Sequence, residues 1–318
     1  MPPLISIVIP LYNKKSTIAR ALDSIISQTI SNFEIIIVDG HSTDGSYDIV
    51  HSYHDERIHF YPQNGGGASA ARNQGINLAS CELIAFLDAD DQWNNDFLET
   101  ILSLHLQYPS AGLYGTGYAV YSDNLFIHNI SCEPDKSQRI FESYFKSYVR
   151  EGRPIIITSS CAAPKSVLLS VGGFPENLKI GEDHELFGKI ALYYDIAYNP
   201  NICSKYYIGA ENNADRVDYV LEVPLENYIL SSQNDNYIIS YDSTELLEYL
   251  DHWKVMIGAR NVYSGFKKEG RAQLHSVTSP RYHLRKFLFI IISYIPFNFS
   301  KISPNKVRNV LRRLHMSI

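Results

Sequence analysis

The stretch Leu83–Trp93, "LIAFLDADDQW", decides the fold. An apolar run leads into three acids within four residues, Asp88, Asp90 and Asp91. Two carboxylates about 5 Å apart repel by about 3 kcal/mol at an effective dielectric near 20. A chain that places this repulsion at the end of a buried strand either turns the acids apart into water or holds something positive between them. A solvated turn needs only an acid that caps the next helix. A divalent cation needs hard oxygen ligands, and one or two carboxylates plus phosphate oxygens are the usual Mg²⁺ arrangement.

Working outward, "ISIVIP" (Ile5–Pro10) and "FEIIIVD" (Phe33–Asp39) read as strands buried on both faces, and "RIHFYPQN" (Arg57–Asn64) as a weaker third. Between them, "KSTIARALDSIISQ" carries Ile18, Ala21, Leu22, Ile25 and Ile26 at helical spacing. "STDGSYDIVHSYH" opens on Ser42 and Thr43, cap-type residues, and "GGGASAARNQGINLAS" is a glycine loop running into a helix. This alternation predicts an α/β fold, a mostly parallel central sheet flanked by helices. Ligands of such sheets bind at the carboxyl ends of the strands. Three predicted strands end on polar chemistry: Tyr12 and Asn13, then Asp39, then Asp88 to Asp91.

Beyond Trp93 the pattern predicts a helix over 94–109, a β-hairpin over 111–130 and a helix over 139–152. A strand, turn and short helix follow over 154–174, then a helix over 181–194 and a strand pair over 195–209. From about 211 the chain reads as helical. The organisation expected is a body over 1–210, in halves 1–92 and 93–210, and a helical region over 211–318.

The 318 residues, 45% hydrophobic and 19% charged, belong to an ordinary globular protein. A formal net charge of −6 excludes bulk nucleic-acid binding. The C-terminal part is different: after Ser276 come Arg281, Arg285, Lys286, Lys301, Lys306, Arg308, Arg312 and Arg313, with no Asp or Glu. Mixed with apolar stretches, this basic amphipathic tail reads as an element for an anionic membrane surface or as helices packed back on the body. Four scattered cysteines without a CxxC argue against structural zinc and for a reducing compartment. No leader is expected in "MPPLISIVIPLYN", and the longest apolar run, Phe287–Phe297, would span about 16 Å as a helix, half a bilayer core.

Three further constellations carry chemistry. In "VDGHSTDGS" (Val38–Ser46), Asp39 ends a strand and Gly40 permits a tight turn, which suits a base edge and ribose or an ordinary loop. Gly65–Ala70 matches the GxGxxA dinucleotide fingerprint, but it falls in the third strand–helix unit after a strand containing Pro62. Arg72, read in the first turn of that helix, is unfavourable for the helix dipole and reaches toward a phosphate or base. "GEDHE" crowds Glu182, Asp183 and Glu185 into one turn, as an acidic helix start or as a general base for a hydroxyl.

In this order the pieces resemble the inverting family 2 glycosyltransferases of the GT-A fold. The carriers are "SIVIPLYN" (Ser6–Asn13), "VDGHSTDGS", "GGASAARNQGI" (Gly66–Ile76), "FLDADD" (Phe86–Asp91), "GGF" (Gly172–Phe174) and "GEDHEL" (Gly181–Leu186). The resemblance covers roughly residues 4–210 and makes 1–92 the nucleotide-binding half and 93–210 the acceptor half. It implies a donor site of Pro10, Tyr12, Asn13, Asp39, Arg72, Asp88 and Ala89, with Tyr12, Asp39 and Arg72 on the base. It implies Asp90 as the ligand of Mn²⁺ or Mg²⁺ and Asp183 as the catalytic base. A UDP-sugar donor and a glycan or lipid-linked acceptor follow, for an enzyme of the cytoplasm placed peripherally at the inner face of the membrane. Where the commoner family motif reads "DDGSTD", this chain has Gly40 and His41 in place of the second Asp and the Gly. The rivals are a nucleotidyltransferase, for which "LYNKKSTIA" offers only Lys14 and Lys15 as phosphate grips, and an inactive sugar-binding scaffold.

Overall fold

In the computed structural model, residues 1–92 run β1 (Ile5–Leu11), α1 (Ile18–Ile26), β2 (Phe33–Asp39), α2 (Ser46–His51), β3 (Ile58–Pro62), α3 (Gly67–Leu78) and β4 (Leu83–Phe86), with β5 (Gln92–Trp93) at the end. The structure describes residues 2–122, 124–132, 137, 139–178, 180–208, 219–231 and 243–294. Strand β1 is apolar on both faces because both are covered. Ile5, Ile7, Ile9 and Leu11 pack in one cluster with Ile18, Ala21, Leu22 and Ile25 of α1. Val8, on the other face, meets α3 at Gly75. Ser6, the one polar residue of "ISIVI", is fully buried; its hydroxyl donates to Glu34 Oε1 at 2.5 Å and accepts from Cys81 N at 3.1 Å.

The approach of α3 to β1 depends on the missing side chain. A Cβ built on Gly75 would lie 2.3 Å from Val8 Cγ1. Gly75→Ala should therefore lower unfolding free energy by about 1–3 kcal/mol, the range for overpacking a well-filled core. Denaturant titration checks this; an unshifted midpoint would mean that the helix can retreat at no cost.

The first four long strands lie in the order β3-β2-β1-β4, all parallel. The chain continues through α4 (Phe97–Gln107), β6 (Leu113–Ser122), β7 (Leu125–Ile130), β8 (Arg139–Ile140), α5 (Tyr144–Glu151), β9 (Cys161–Pro164), α6 (Lys165–Ser170), α7 (Glu182–Tyr193) and β10 (Ile196–Ile208). The sheet runs on as β4-β9-β6-β10-β5. Strand β9 is antiparallel to both neighbours, while β6 and β10 are parallel to each other. The expected hairpin is β6–β7.

Three local expectations are corrected. Within 154–174, where a strand, a turn and a short helix are expected, the turn comes first, as a 3₁₀ turn over Thr158–Ser160, and β9 runs directly into α6. Where a strand pair is expected over 195–209, Ile196–Ile208 form one strand of 13 residues. Pro200 and Asn201 sit in a bulge between Asn199 and Ile202, where a residue without an N–H is tolerated. The helix expected over 139–152 begins only at Tyr144, because Arg139 and Ile140 pair with β10.

The chain divides into two compact units: residues 1–144 with 154–212, and residues 145–153 with 213–318. The second unit contains most of α5 together with α8 (Glu226–Ser231), α9 (Ser243–Ser264), α10 (Lys267–His275) and α11 (His283–Tyr294). Phe145 and Tyr148 each stack edge-on to Tyr249, with centroids 5.0 Å apart. Buried Asn261 binds both the N–H and the C=O of Leu221. Among the described residues no helix is long and apolar enough to cross a membrane. Of the basic tail, residues 295–318 lie outside the described residues.

Candidate active site

Because β1 is parallel to both β2 and β4, the polar residues that follow these strands emerge at one edge of the sheet. They enclose a cleft of about 420 Å³. Six of the predicted site residues line it: Pro10, Tyr12, Arg72, Asp88, Ala89 and Asp90. Lys14, Gly40, Gln63 and the Gly65–Gly67 arm complete the wall.

The crowding of the three acids is resolved in three ways. Asp88 Oδ1 pairs with Arg72 Nη2 at 2.6 Å. Asp90 Oδ2 pairs with Lys14 Nζ at 2.6 Å. Asp91 turns inward, is buried, and accepts from Tyr207 N at 3.0 Å. Burial, reinforced by the charges of Asp90 and Asp88, pushes the Asp91 carboxyl well above the usual range, so it is held toward its neutral form. The acidic loop is further tied down by Arg20, which donates to the Asp90 carbonyl and lies 3.6 Å over the Tyr207 ring.

Arg72 links this loop to α7. Its Nη1 donates to Glu182 Oε1 at 3.2 Å, and its guanidinium faces the Phe174 ring at 5.2 Å. It sits in the second turn of α3, which starts at Gly67, so the unfavourable first-turn dipole expected from the sequence does not arise. Burial works against the Arg72 charge, but Asp88, Glu182 and Asp183 more than offset it and hold the group protonated. Asp183 lies next to Glu182 in the first turn of α7, half-buried, with Oδ1 accepting from His184 N at 2.8 Å. Burial depresses the pKa of His184, against the opposing charge of Asp183, which favours the neutral ring.

Asn13 and Asp39 do not line the cleft; they build the loop behind it. Buried Asp39 accepts from Ser42 Oγ at 2.5 Å and from Ser42 N at 3.1 Å. Asn13, at φ 50°, accepts from Thr43 N at 2.8 Å and donates its own N–H to Ser42 Oγ at 2.9 Å. Ser42 therefore does not cap α2, as its position had implied; Gly45, at φ 92°, precedes that helix, and Asp44 Oδ1 accepts from Ser46 N at 2.9 Å. The departure at Gly40 has a steric counterpart, since a Cβ there would lie 2.8 Å from Gln63 Oε1.

Sequence reasoning passed over Lys14 as a wall residue, and it passed over Gln63. A signal existed for the second: β3 is parallel to β2, so the residue after Pro62 reaches the same edge as Asp39.

Among the described residues no group of three or more His, Cys, Asp or Glu side chains is placed to hold a metal. Asp90 nevertheless fits a hard divalent ion. Its carboxylate is 21% exposed, opens on the cleft, and already carries a cation, the Lys14 ammonium. One carboxylate with phosphate oxygens is a sufficient ligand set for such an ion.

Glu182 supplies a pH test. Burial, helped by Asp183, raises its pKa above the ordinary value against the pull of Arg72. Above about pH 4.5 the unfolded chain has lost this proton while the folded chain keeps it, so stability falls with rising pH by up to about 1.4 kcal/mol per unit until the folded group ionises. Glu182→Gln should flatten that slope in pH-dependent unfolding; an unchanged slope would place the titration elsewhere.

The profile described as "Glycosyl transferase family 2" matches residues 6–171. A putative teichuronic acid biosynthesis glycosyltransferase, TuaG, of Bacillus subtilis (strain 168) is 38% identical over 125 residues, 38% of this chain and 49% of that protein. A UDP-Glc:alpha-D-GlcNAc-diphosphoundecaprenol beta-1,3-glucosyltransferase, WfgD, of Escherichia coli is 34% identical over 125 residues, 39% of this chain and 49% of that protein. The match thus spans about half the length of these relatives. The fold is shared with S. aureus TarS 1-349 in complex with UDP (TM-score 0.56, 17% identity, 92% of this chain and 89% of that one). It is shared equally with the mannosyltransferase PcManGT from Pyrobaculum calidifontis in complex with GDP-Man and Mn²⁺ (TM-score 0.56, 18% identity, 98% and 88%). A GT-A type sheet with these motifs at its carboxyl edge, and a profile match over more than half of the chain, make this protein a member of glycosyl transferase family 2.

Proposed function

We propose that the chain transfers a sugar from a nucleoside-diphosphate donor, a UDP-sugar, to a hydroxyl acceptor in cell-surface glycan synthesis. The observation that carries this reading is the single cleft in which Tyr12, Lys14, Asp88 and Asp90 converge, linked through Arg72 to the acids of α7. Tyr12 offers an exposed ring for a base, and Asp88 would face the ribose or lie close to the metal. Asp90 would hold Mn²⁺ or Mg²⁺ together with the diphosphate, and the ion would offset charge on the departing nucleoside diphosphate. Asp183 takes the proton of the acceptor hydroxyl, which attacks the anomeric carbon from the face opposite the leaving group. One displacement of this kind inverts the configuration. The donor assignment is supported by the UDP-Glc in the name of WfgD and by the UDP bound to TarS. The diphosphoundecaprenol acceptor of WfgD supports a lipid-linked acceptor.

A lipid-linked acceptor favours an enzyme held at the inner face of the membrane. Leu284, Phe287, Ile291 and Tyr294 are exposed at helical spacing along α11, with Arg285 on the same helix and Arg281 just before it in the chain. Phe287→Asp with Ile291→Asp should reduce co-sedimentation with anionic vesicles. Equal sedimentation of both proteins would separate this face from lipid.

The transfer reading is tested by a donor panel with purified protein and Mn²⁺, followed through released nucleoside diphosphate. Release from a UDP-sugar is the expected result. No release from any nucleotide sugar, with or without acceptor, would overturn the proposal.

A further inference from the structure

The two residues that the family resemblance places on the base besides Tyr12 already have partners, although Arg72 itself lines the cleft. Asp39 is bound to Ser42 behind the cleft, and Arg72 is bound to Asp88 and Glu182. A different side chain faces the slot beside Tyr12. Gln63 is only 7% exposed, and its backbone N–H donates to Asp39 O at 2.8 Å, continuing the β2–β3 register past Pro62. Its Nε2 donates to Gly67 O at 2.8 Å. A backbone carbonyl only accepts, so this bond fixes which end of the amide is which. Oε1 is left turned toward the cleft, and it accepts no hydrogen bond among the described residues.

The surroundings of Oε1 are those of a slot for a flat ring. The Cβ position that Gly40 leaves empty lies 2.8 Å from Oε1 and 3.4 Å from Tyr12 Cδ2. Tyr12 is 55% exposed, an aromatic face open to stacking. A heterocycle stacked there would have one fixed acceptor close by, the Gln63 amide oxygen.

We infer that Gln63 reads the base of the donor nucleotide, its amide oxygen accepting from the N3–H of uracil and disfavouring cytosine. The inference rests on the proposal that a nucleoside diphosphate occupies this cleft. Uracil presents N3 as a donor between two carbonyls, whereas cytosine presents N3 as an acceptor, so that two lone pairs would face each other. A buried polar group left unpaired by the wrong ligand is the usual source of such discrimination. The absence of a side chain at position 40 belongs to the same device, because a larger residue would take the place of the Gln63 oxygen.

The test is titration calorimetry of the full chain with UDP and CDP, each with Mn²⁺, for the native protein and for Gln63→Met. The native protein should bind UDP about tenfold more tightly than CDP, the scale of one hydrogen bond made against one left unmade. Gln63→Met, similar in volume, should bring the ratio close to one, chiefly by weakening UDP. Equal weakening of both nucleotides would make Gln63 a brace for the glycine arm and overturn the inference. A native protein without preference for UDP over CDP would overturn it without reference to any variant. Tight binding of a purine diphosphate instead would remove the uracil assignment and leave the transferase reading standing. Failure of every nucleoside diphosphate to bind would remove the transferase reading, and the inference with it.

Discussion

Asp90→Ala is expected to abolish the metal dependence of UDP binding and to slow transfer by about 10²-fold or more, since an ion that offsets developing charge contributes several kcal/mol. The reason lies in how the three acids differ. Asp88 is bound to an arginine that is itself 4% exposed, and Asp91 is buried beneath the loop. Asp90 alone has an exchangeable partner, a lysine on a flexible stem whose side chain is 17% exposed. An incoming divalent ion displaces an ammonium there without breaking the core. The same substitution leaves Lys14 without its carboxylate and available to the diphosphate. Metal-free UDP affinity should therefore persist in Asp90→Ala even as the response to Mn²⁺ disappears. Calorimetry with and without metal reads both effects, and a variant that still responds to Mn²⁺ would take Asp90 out of the metal site.

The second large effect is expected at Asp183. Asp183→Asn should keep UDP affinity and lose about 10²- to 10⁴-fold in the single-turnover transfer rate, the range for removing a general base. Its neighbours are less suited to the task. Glu182 is bound to Arg72 and holds its proton to a higher pH than usual, and His184 is buried with its pKa depressed. Asp183 is half-buried and, among the described residues, has no Lys or Arg within salt-bridge distance. Near-normal turnover in Asp183→Asn would assign the proton to another group.

The parallel part of the sheet was legible because β1, β2 and β4 are apolar runs that end on polar residues, a pattern with one structural solution. Strand β3 read weakly because it is an edge strand, partly exposed and ending in Pro62, which an edge tolerates. Strand β9, "CAAP", was legible only as a strand somewhere within 154–174. Four small residues carry no period, and they become a strand only because β4 and β6 stand on either side. In the site, Tyr12, Asp88 and Asp90 followed from strand ends. Asp39 followed too, but its carboxylate is taken up by Ser42 three residues on, a local bond that the spacing itself could have revealed. Gln63 was hidden because its role comes from the register between β2 and β3, which no single segment encodes.

Strand β9 also sets a timetable for synthesis. It is the strip that joins β4 to β6, yet both partners leave the ribosome long before it does. A nascent chain shorter than 164 residues leaves open the positions of β4 and β6 that pair with β9, and also the edge of β6 that β10 later covers. Such edges recruit other chains. The donor cleft can take shape early, from the first 92 residues, while the body that contains it stays adhesive until both β9 and β10 have been made.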